Sequence, residues 1–159
     1  MYVLFVCTGN ICRSPMAEAL AAGHHAAPNV SFASAGTGGL PGRSASPSAV
    51  RVMSEVGIDL TGHVSQDVFA AITHTPDLIY CMTEGHCDRL RALRPEWSAR
   101  VLPLHPDGQS IDDPYGLDDD TYRRVRDEIR EPLLNTAQPF RARLDCKARV
   151  QVVGNRKGS

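Results

Sequence analysis

The sequence predicts an α/β fold, a four-stranded parallel sheet with helices on both faces, and three observations carry that prediction. Short apolar runs at Tyr2–Val6, Asn29–Ala35, Asp77–Met82 and Arg100–Leu104 alternate with helix-patterned segments, the order that gives parallel strands joined by crossover helices. The third run reads as a strand covered on both faces. At 159 residues the chain has the length of one domain, enough to bury a core without disulfide or metal staples.

Each element has a local signal. Tyr2–Val6 runs directly into Cys7-Thr8-Gly9-Asn10-Ile11-Cys12-Arg13-Ser14-Pro15, and a helix opens at Met16 and ends near His24. In the second strand Val30 and Phe32 alternate with Ser31; Gly36–Gly42 is a loop by composition. Ser46 caps a helix with Pro47 in its first position. Val50, Met53 and Val56 keep its apolar face until Gly57 stops it. After the connector Ile58–His63, Ser65 is expected to cap a short helix through Ile72. Glu84–Leu93 is helical and ends before Pro95, while Pro103 marks the fourth strand as an edge. His105–Leu117 is a polar loop. Asp118–Asp120 open the last helix, where acids suit the N-terminal dipole. Tyr122, Val125, Ile129 and Leu133 give that helix its apolar face, and Pro132 is expected to kink it or end it early.

Composition narrows the class. Hydrophobic content of 42% and charged content of 22% are ordinary for a globular domain. No apolar run is long enough to span a bilayer, and no signal-type segment opens the chain. These features point to a soluble cytoplasmic protein. The net charge of −1 hides an asymmetry, because residues 1–137 carry 11 basic and 17 acidic side chains and residues 138–159 carry 6 and 1. The domain is therefore placed at 1–136, with a basic tail at 137–159, containing Cys146, expected to be poorly ordered. Without interleaved aromatics that tail is no nucleic-acid signature, and neither a nucleic-acid nor a membrane partner is expected. No segment carries a decisive oligomerisation signal, so a monomer or weak dimer is expected. Five cysteines (Cys7, Cys12, Cys81, Cys87, Cys146) in a chain with no secretory signal argue for catalysis, redox sensing or burial over structural disulfides.

In an open α/β sheet, ligands sit at the carboxyl ends of the strands. The loop after strand 1 lies there, and its residues fit a phosphate-binding loop. Cys7 and Arg13 stand in the spacing C-x5-R-S. A short loop can turn the N–H groups of Thr8, Gly9, Asn10, Ile11 and Cys12 toward one tetrahedral anion. The helix starting at Arg13–Ser14 aims its positive end at the same point, a field that also favours the thiolate form of Cys7. Arg13 offers two parallel bonds to phosphate oxygens. Gly9 and Asn10 tolerate a left-handed backbone, and Ser14 can donate to the thiolate. A leaving oxygen needs a proton, for which Asp112 and Asp113 beside Pro114 and Tyr115 are candidates.

Cys7–Pro15, read as CTGNICRSP together with Asp113-Pro114-Tyr115, resembles the low-molecular-weight protein tyrosine phosphatases. The resemblance continues through Ser34-Ala35-Gly36, Gly57–His63, Asp77–Thr83 and the last helix, covering about residues 1–135. It implies that Cys7 is the nucleophile of a phosphocysteine intermediate, that Arg13 clamps the phosphoryl group and that Asp113 is the acid. It also implies that Asn10, Ser34 and His63 support the loop from behind, and that a phosphorylated protein is the partner. Neither metal nor cofactor is implied; among the other histidines, His86 beside Cys87 lacks the partners a zinc site needs. For Cys12 the resemblance implies a reversible disulfide with Cys7; a plain core role stays open. Ile11, Leu40 and Tyr115 are expected to shape the substrate pocket.

Three substrates share this scaffold. Ile11 and Tyr115 suit an aromatic phosphate. A protein arginine phosphatase is the alternative, in which the position of Ile11 is typically threonine. Arsenate reductase is a third, with Cys81 and Cys87 as extra thiols, although Cys81 reads as core. An inactive phosphate-binding module would have no need of Asp113.

Overall fold

The computed structural model describes residues 1–134. In chain order they form β1 (Tyr2–Cys7), α1 (Arg13–His24), β2 (Ser31–Gly36), α2 (Pro47–Ser54), α3 (Val68–Ala71), β3 (Leu78–Cys81), α4 (Glu84–Leu93), a 3₁₀ turn (Pro95–Arg100), β4 (Val101–Pro103) and α5 (Asp119–Leu134). The four strands are parallel in the order β2-β1-β3-β4. β1 is thus central, paired with β2 from Tyr2–Ser31 to Cys7–Gly36 and with β3 from Val3–Leu78 to Val6–Cys81.

Alternation along β1 divides the core. Val3, Phe5 and Cys7 belong to a cluster with Met16, Leu20, Val52, Met53, Tyr122 and Val125, contributed by α1, α2 and α5. Leu4 and Val6 face the opposite cluster, which holds Val68, Cys87, Leu90 and Trp97. Successive side chains of a strand point to opposite faces, so this split fixes Cys7 on the α1 side of the sheet.

Local signals explain the boundaries. Ser46 accepts from Ala49 N–H at 3.3 Å and Pro47 begins α2; Gly57 then takes φ +76°. β4 is an edge strand, where Pro103 removes no needed ladder donor. Asp118 accepts from Thr121 N–H at 2.9 Å at the start of α5.

Two boundary expectations are corrected. The cap of α3 is Asp67, whose Oδ1 accepts from Phe69 and Ala70 N–H. Ser65 instead accepts from Arg43 N–H and donates to Leu40 O, pinning the loop before α2. Of the two outcomes expected at Pro132, a kink or an early end, the early end is the one overturned, since the helix runs through it to Leu134 with Pro132 and Leu133 buried. The expected domain boundary at 136, the basic tail and Cys146 lie outside the described residues.

Candidate active site

Cys7 ends β1 and the chain then curls through Thr8–Cys12 into α1. Asn10 is the residue that makes the curl. It alone among the described non-glycine residues has positive φ, +54°, and Gly9, expected to share that role, does not. Asn10 is 0% exposed and every polar atom of its side chain is used. Nδ2 donates to Ser14 Oγ (2.9 Å) and Ser34 Oγ (2.8 Å), while Oδ1 accepts from Gln66 N–H (2.9 Å). Its carbonyl accepts from His63 Nε2 at 2.6 Å, so Asn10, Ser34 and His63 stand together behind the loop.

The direction of these bonds reaches Cys7. Ser34 donates onward to Glu18 at 2.6 Å. Ser14 Oγ accepts from Asn10 and lies 2.9 Å from Cys7 Sγ. The Ser14 proton thus has two acceptors in reach, Cys7 Sγ at 2.9 Å and, farther off, Ala35 O at 3.5 Å, and the sulfur is the nearer.

A second segment closes the loop from outside. Thr37 N–H donates to Cys7 O at 2.9 Å, and Gly38 and Gly39 N–H both donate to Thr8 O at 3.1 Å. A Cβ on Gly36 would sit 2.4 Å from Thr8 O, and one on Gly39 would sit 2.6 Å from Gly9 Cα. Glycine is required at both positions for contact, not for backbone freedom. The N–H groups of Gly9, Asn10, Ile11 and Cys12 meet no acceptor among the described residues, leaving consecutive donors around Cys7 for an anion.

Arg13 is buried beneath this ring. Nη1 donates to Ile111 O at 2.9 Å, and Nη2 faces Asp113 Oδ2 at 3.1 Å. Its Nε–H is buried with no acceptor among the described residues, the state of a guanidinium built to hold an anion. Asp113 arrives because Ile111 N–H bonds Met82 O at 2.8 Å, fixing the loop to the end of β3. Asp112, the other candidate acid, turns out to solvent and pairs with Arg124 at 3.2 Å.

Cys7, Thr8, Gly9, Ile11, Cys12, Arg13, Arg43, Asp113 and Tyr115 line one pocket of about 230 Å³, room for a single phosphorylated side chain rather than a peptide. Leu40 is not among them. It is 71% exposed, because its carbonyl is tied to Ser65 and the chain turns at Gly42, φ +82°; Arg43 takes the place at the pocket wall. Sequence reasoning missed Arg43, Gln66 and Glu18.

It also gave His86 no role. Its ring bridges Thr83 Oγ1 at Nδ1 (2.8 Å) and Thr8 Oγ1 at Nε2 (2.9 Å). Burial, and secondarily the charge of Arg13, lower its pKa to about 4, so the ring is neutral. Cys12 lies 3.2 Å from Tyr122 Oη and 3.4 Å from Ser46 Oγ; burial pushes its thiol up despite those bonds. Cys7 and Cys12 are both free thiols. Cys81 and Cys87 are fully buried in the far cluster, and the hydrogen bond that Cys81 gives to Cys87, then burial, push the Cys81 thiol up.

Known proteins resemble this chain along most of its length. The family model described as low molecular weight phosphotyrosine protein phosphatase matches residues 2–147. The chain is 44% identical over 114 residues to the probable low molecular weight protein-tyrosine-phosphatase EpsP of Ralstonia solanacearum, covering 71% of this chain and 77% of that one. It is 35% identical over 147 residues to the protein-arginine-phosphatase of Bacillus subtilis, covering 89% and 97%. The solved structure of Vibrio vulnificus Wzb in complex with benzylphosphonate superposes with TM-score 0.76 at 32% identity, covering 82% of this chain and 92% of that one. The match to the model and the extent of these likenesses settle descent: the chain belongs to the low molecular weight phosphotyrosine protein phosphatase family.

Proposed function

We propose that the protein hydrolyses phosphotyrosine in protein substrates, with Cys7, Arg13 and Asp113 as its catalytic residues. The phosphoryl group seats against the N–H groups of Thr8–Cys12, and Arg13 holds two of its oxygens. Cys7 Sγ attacks phosphorus in line with the leaving phenolic oxygen, forming the S–P bond as the P–O bond breaks, while Asp113 delivers the proton. Asp113 then takes a proton from water, whose oxygen attacks the phosphocysteine and releases inorganic phosphate and the Cys7 thiolate. Ser14 steadies that thiolate in both steps.

The observation that carries this reading is Arg13: its buried Nε–H has no acceptor among the described residues, while its Nη2 lies 3.1 Å from Asp113 Oδ2 at the pocket wall. Binding strength is thus aimed where transition-state charge spreads. Ile11 and Tyr115 on the pocket walls suit an aromatic ring. The Bacillus subtilis relative, a protein-arginine-phosphatase, is as similar as some relatives named for tyrosine, so overall identity does not choose the substrate; Ile11 favours the aromatic one. The thiolate chemistry fits a reducing compartment such as the cytoplasm.

The test compares phosphotyrosine and phosphoarginine peptides side by side with chelator present. Turnover of phosphotyrosine that disappears in Cys7→Ser is the expected result. Faster turnover of phosphoarginine would move the assignment to the other branch.

A further inference from the structure

We infer that the Thr8 hydroxyl is an additional donor to the phosphoryl group, and that Thr83 and His86 fix the direction of its proton. The inference deepens the proposed function and rests on the same phosphoryl site. Thr8 follows Cys7 directly and lines the pocket. Its Oγ1 is 2.9 Å from His86 Nε2, and His86 Nδ1 is 2.8 Å from Thr83 Oγ1.

The polarity of this chain of bonds follows from the helix cap. Thr83 is the N-cap of α4, and its Oγ1 already accepts from His86 N–H at 3.3 Å. An oxygen that accepts there has its own proton to give, and Nδ1 is the neighbour that can take it. His86 is only 7% exposed and its ring is neutral, so it carries one N–H. With Nδ1 accepting, that proton is on Nε2 and goes to Thr8 Oγ1. Thr8 Oγ1 is thereby occupied as an acceptor, and its own proton is left to face the pocket. The reverse polarity would make Thr83 Oγ1 accept two N–H bonds and spend the Thr8 proton on the ring. His86 is a positioning residue in this scheme, acting only through Thr8.

Five proteins test it, wild type, Thr8→Val, Thr8→Ser, His86→Phe and the Thr8→Val/His86→Phe double variant, each measured for vanadate binding and for aryl phosphate turnover. A hydrogen bond to a charged group implies a loss of about tenfold in vanadate affinity for Thr8→Val. Thr8→Ser, which keeps the hydroxyl, restores it. His86→Phe gives a similar loss, and the double variant is no worse than Thr8→Val, since both remove one interaction. ¹⁵N NMR of the His86 ring is expected to show the proton on Nε2. Equal vanadate affinity in Thr8→Val and wild type overturns the inference whatever the turnover, and so does a proton on Nδ1. Absent turnover with the binding loss intact would instead sink the hydrolase reading and leave this one standing.

Discussion

Two loops meet at the pocket, and the structure holds them by different means. The loop from Cys7 to Ser14 is tied to β2, to the Gly36–Gly39 segment, to the connector at His63–Gln66 and to the start of α2, where Ser46 N–H donates to Ile11 O at 2.8 Å. The loop bearing Asp113 reaches the pocket from β4 with Asp113 52% exposed. Its ties are Arg13, through the Asp113 pair and through Nη1–H on Ile111 O at 2.9 Å, together with Tyr115 N–H on Asp113 Oδ1 at 3.2 Å, Ile111 on Met82 and the exposed Asp112–Arg124 pair. An anion cradle gains from being fixed before substrate arrives. A proton donor must meet a leaving atom whose position changes along the reaction, and an exposed loop can adjust. The comparison predicts that damage to the cradle costs both stability and turnover, whereas damage to the acid loop costs turnover alone.

The largest effect falls on the acid. Asp113→Asn keeps the shape but cannot donate, so kcat for an aryl phosphate is expected to fall by about 10²–10⁴-fold. The unfolding midpoint should move little, because the Asp113 side chain is half open to water, and asparagine keeps an oxygen for the buried Arg13, which also retains Ile111 O. A drop in midpoint comparable to that of a core variant would show the two loops to be one unit.

Asn10→Ala is the corresponding test of the cradle. It strands Gln66 N–H and two buried hydroxyls and places alanine at positive φ. A cost of about 2–4 kcal/mol in chemical denaturation is expected. A fall in kcat should accompany it, since Ser14 loses the donor that orients its proton toward Cys7. Unchanged stability with lost activity would contradict the division between the loops.

How much of this was legible in the sequence follows the same division. The cradle is contiguous, so Cys7, Arg13 and Ser14 could be placed from spacing and the strand–loop–helix order alone. Ser34 and His63 came through resemblance, because their bonds to Asn10 span 24 and 53 residues. Gln66, Glu18 and His86 carried no local signal; each owes its place to the sheet order that brings β2 and β3 against β1. Gly38–Gly39 offered a usable hint, since two adjacent glycines allow a close backbone approach. Leu40 was misplaced because a turn decides which side chain of a loop faces inward: Gly42 at φ +82° sends Leu40 out and Arg43 in. Asp113 was separable from Asp112 only by resemblance, and in space the two diverge to Arg13 and Arg124.

His86 connects the cradle to pH. Its pKa is lowered from the usual 6.5 to about 4 by burial first and by Arg13 next, with Asp113 acting in the opposite sense. Below pH 6.5 the unfolded chain takes up a proton at this position that the folded protein refuses until about pH 4. Stability is therefore lost as pH falls through that window. Thermal unfolding of wild type should weaken between those values more steeply than that of His86→Gln. Parallel curves for the two proteins would place the acid sensitivity elsewhere.

The smallest effect separates grip from chemistry. Tyr115 is 60% exposed, lines the pocket and touches neither Cys7 nor Arg13 through any hydrogen bond. Its ring can contribute only contact with the substrate's ring, and aromatic pairs are worth about 0.5–1.5 kcal/mol. Tyr115→Ala should therefore raise KM for a phosphotyrosine peptide by about 2–10-fold with kcat nearly unchanged. Tyr115→Phe should behave as wild type, because no role falls to the hydroxyl. A fall in kcat in Tyr115→Ala would mean that the ring also holds the backbone turn bearing Asp113, through the Tyr115 N–H that donates to its carboxylate. The acid loop would then be less independent of its own side chains than its exposure implies.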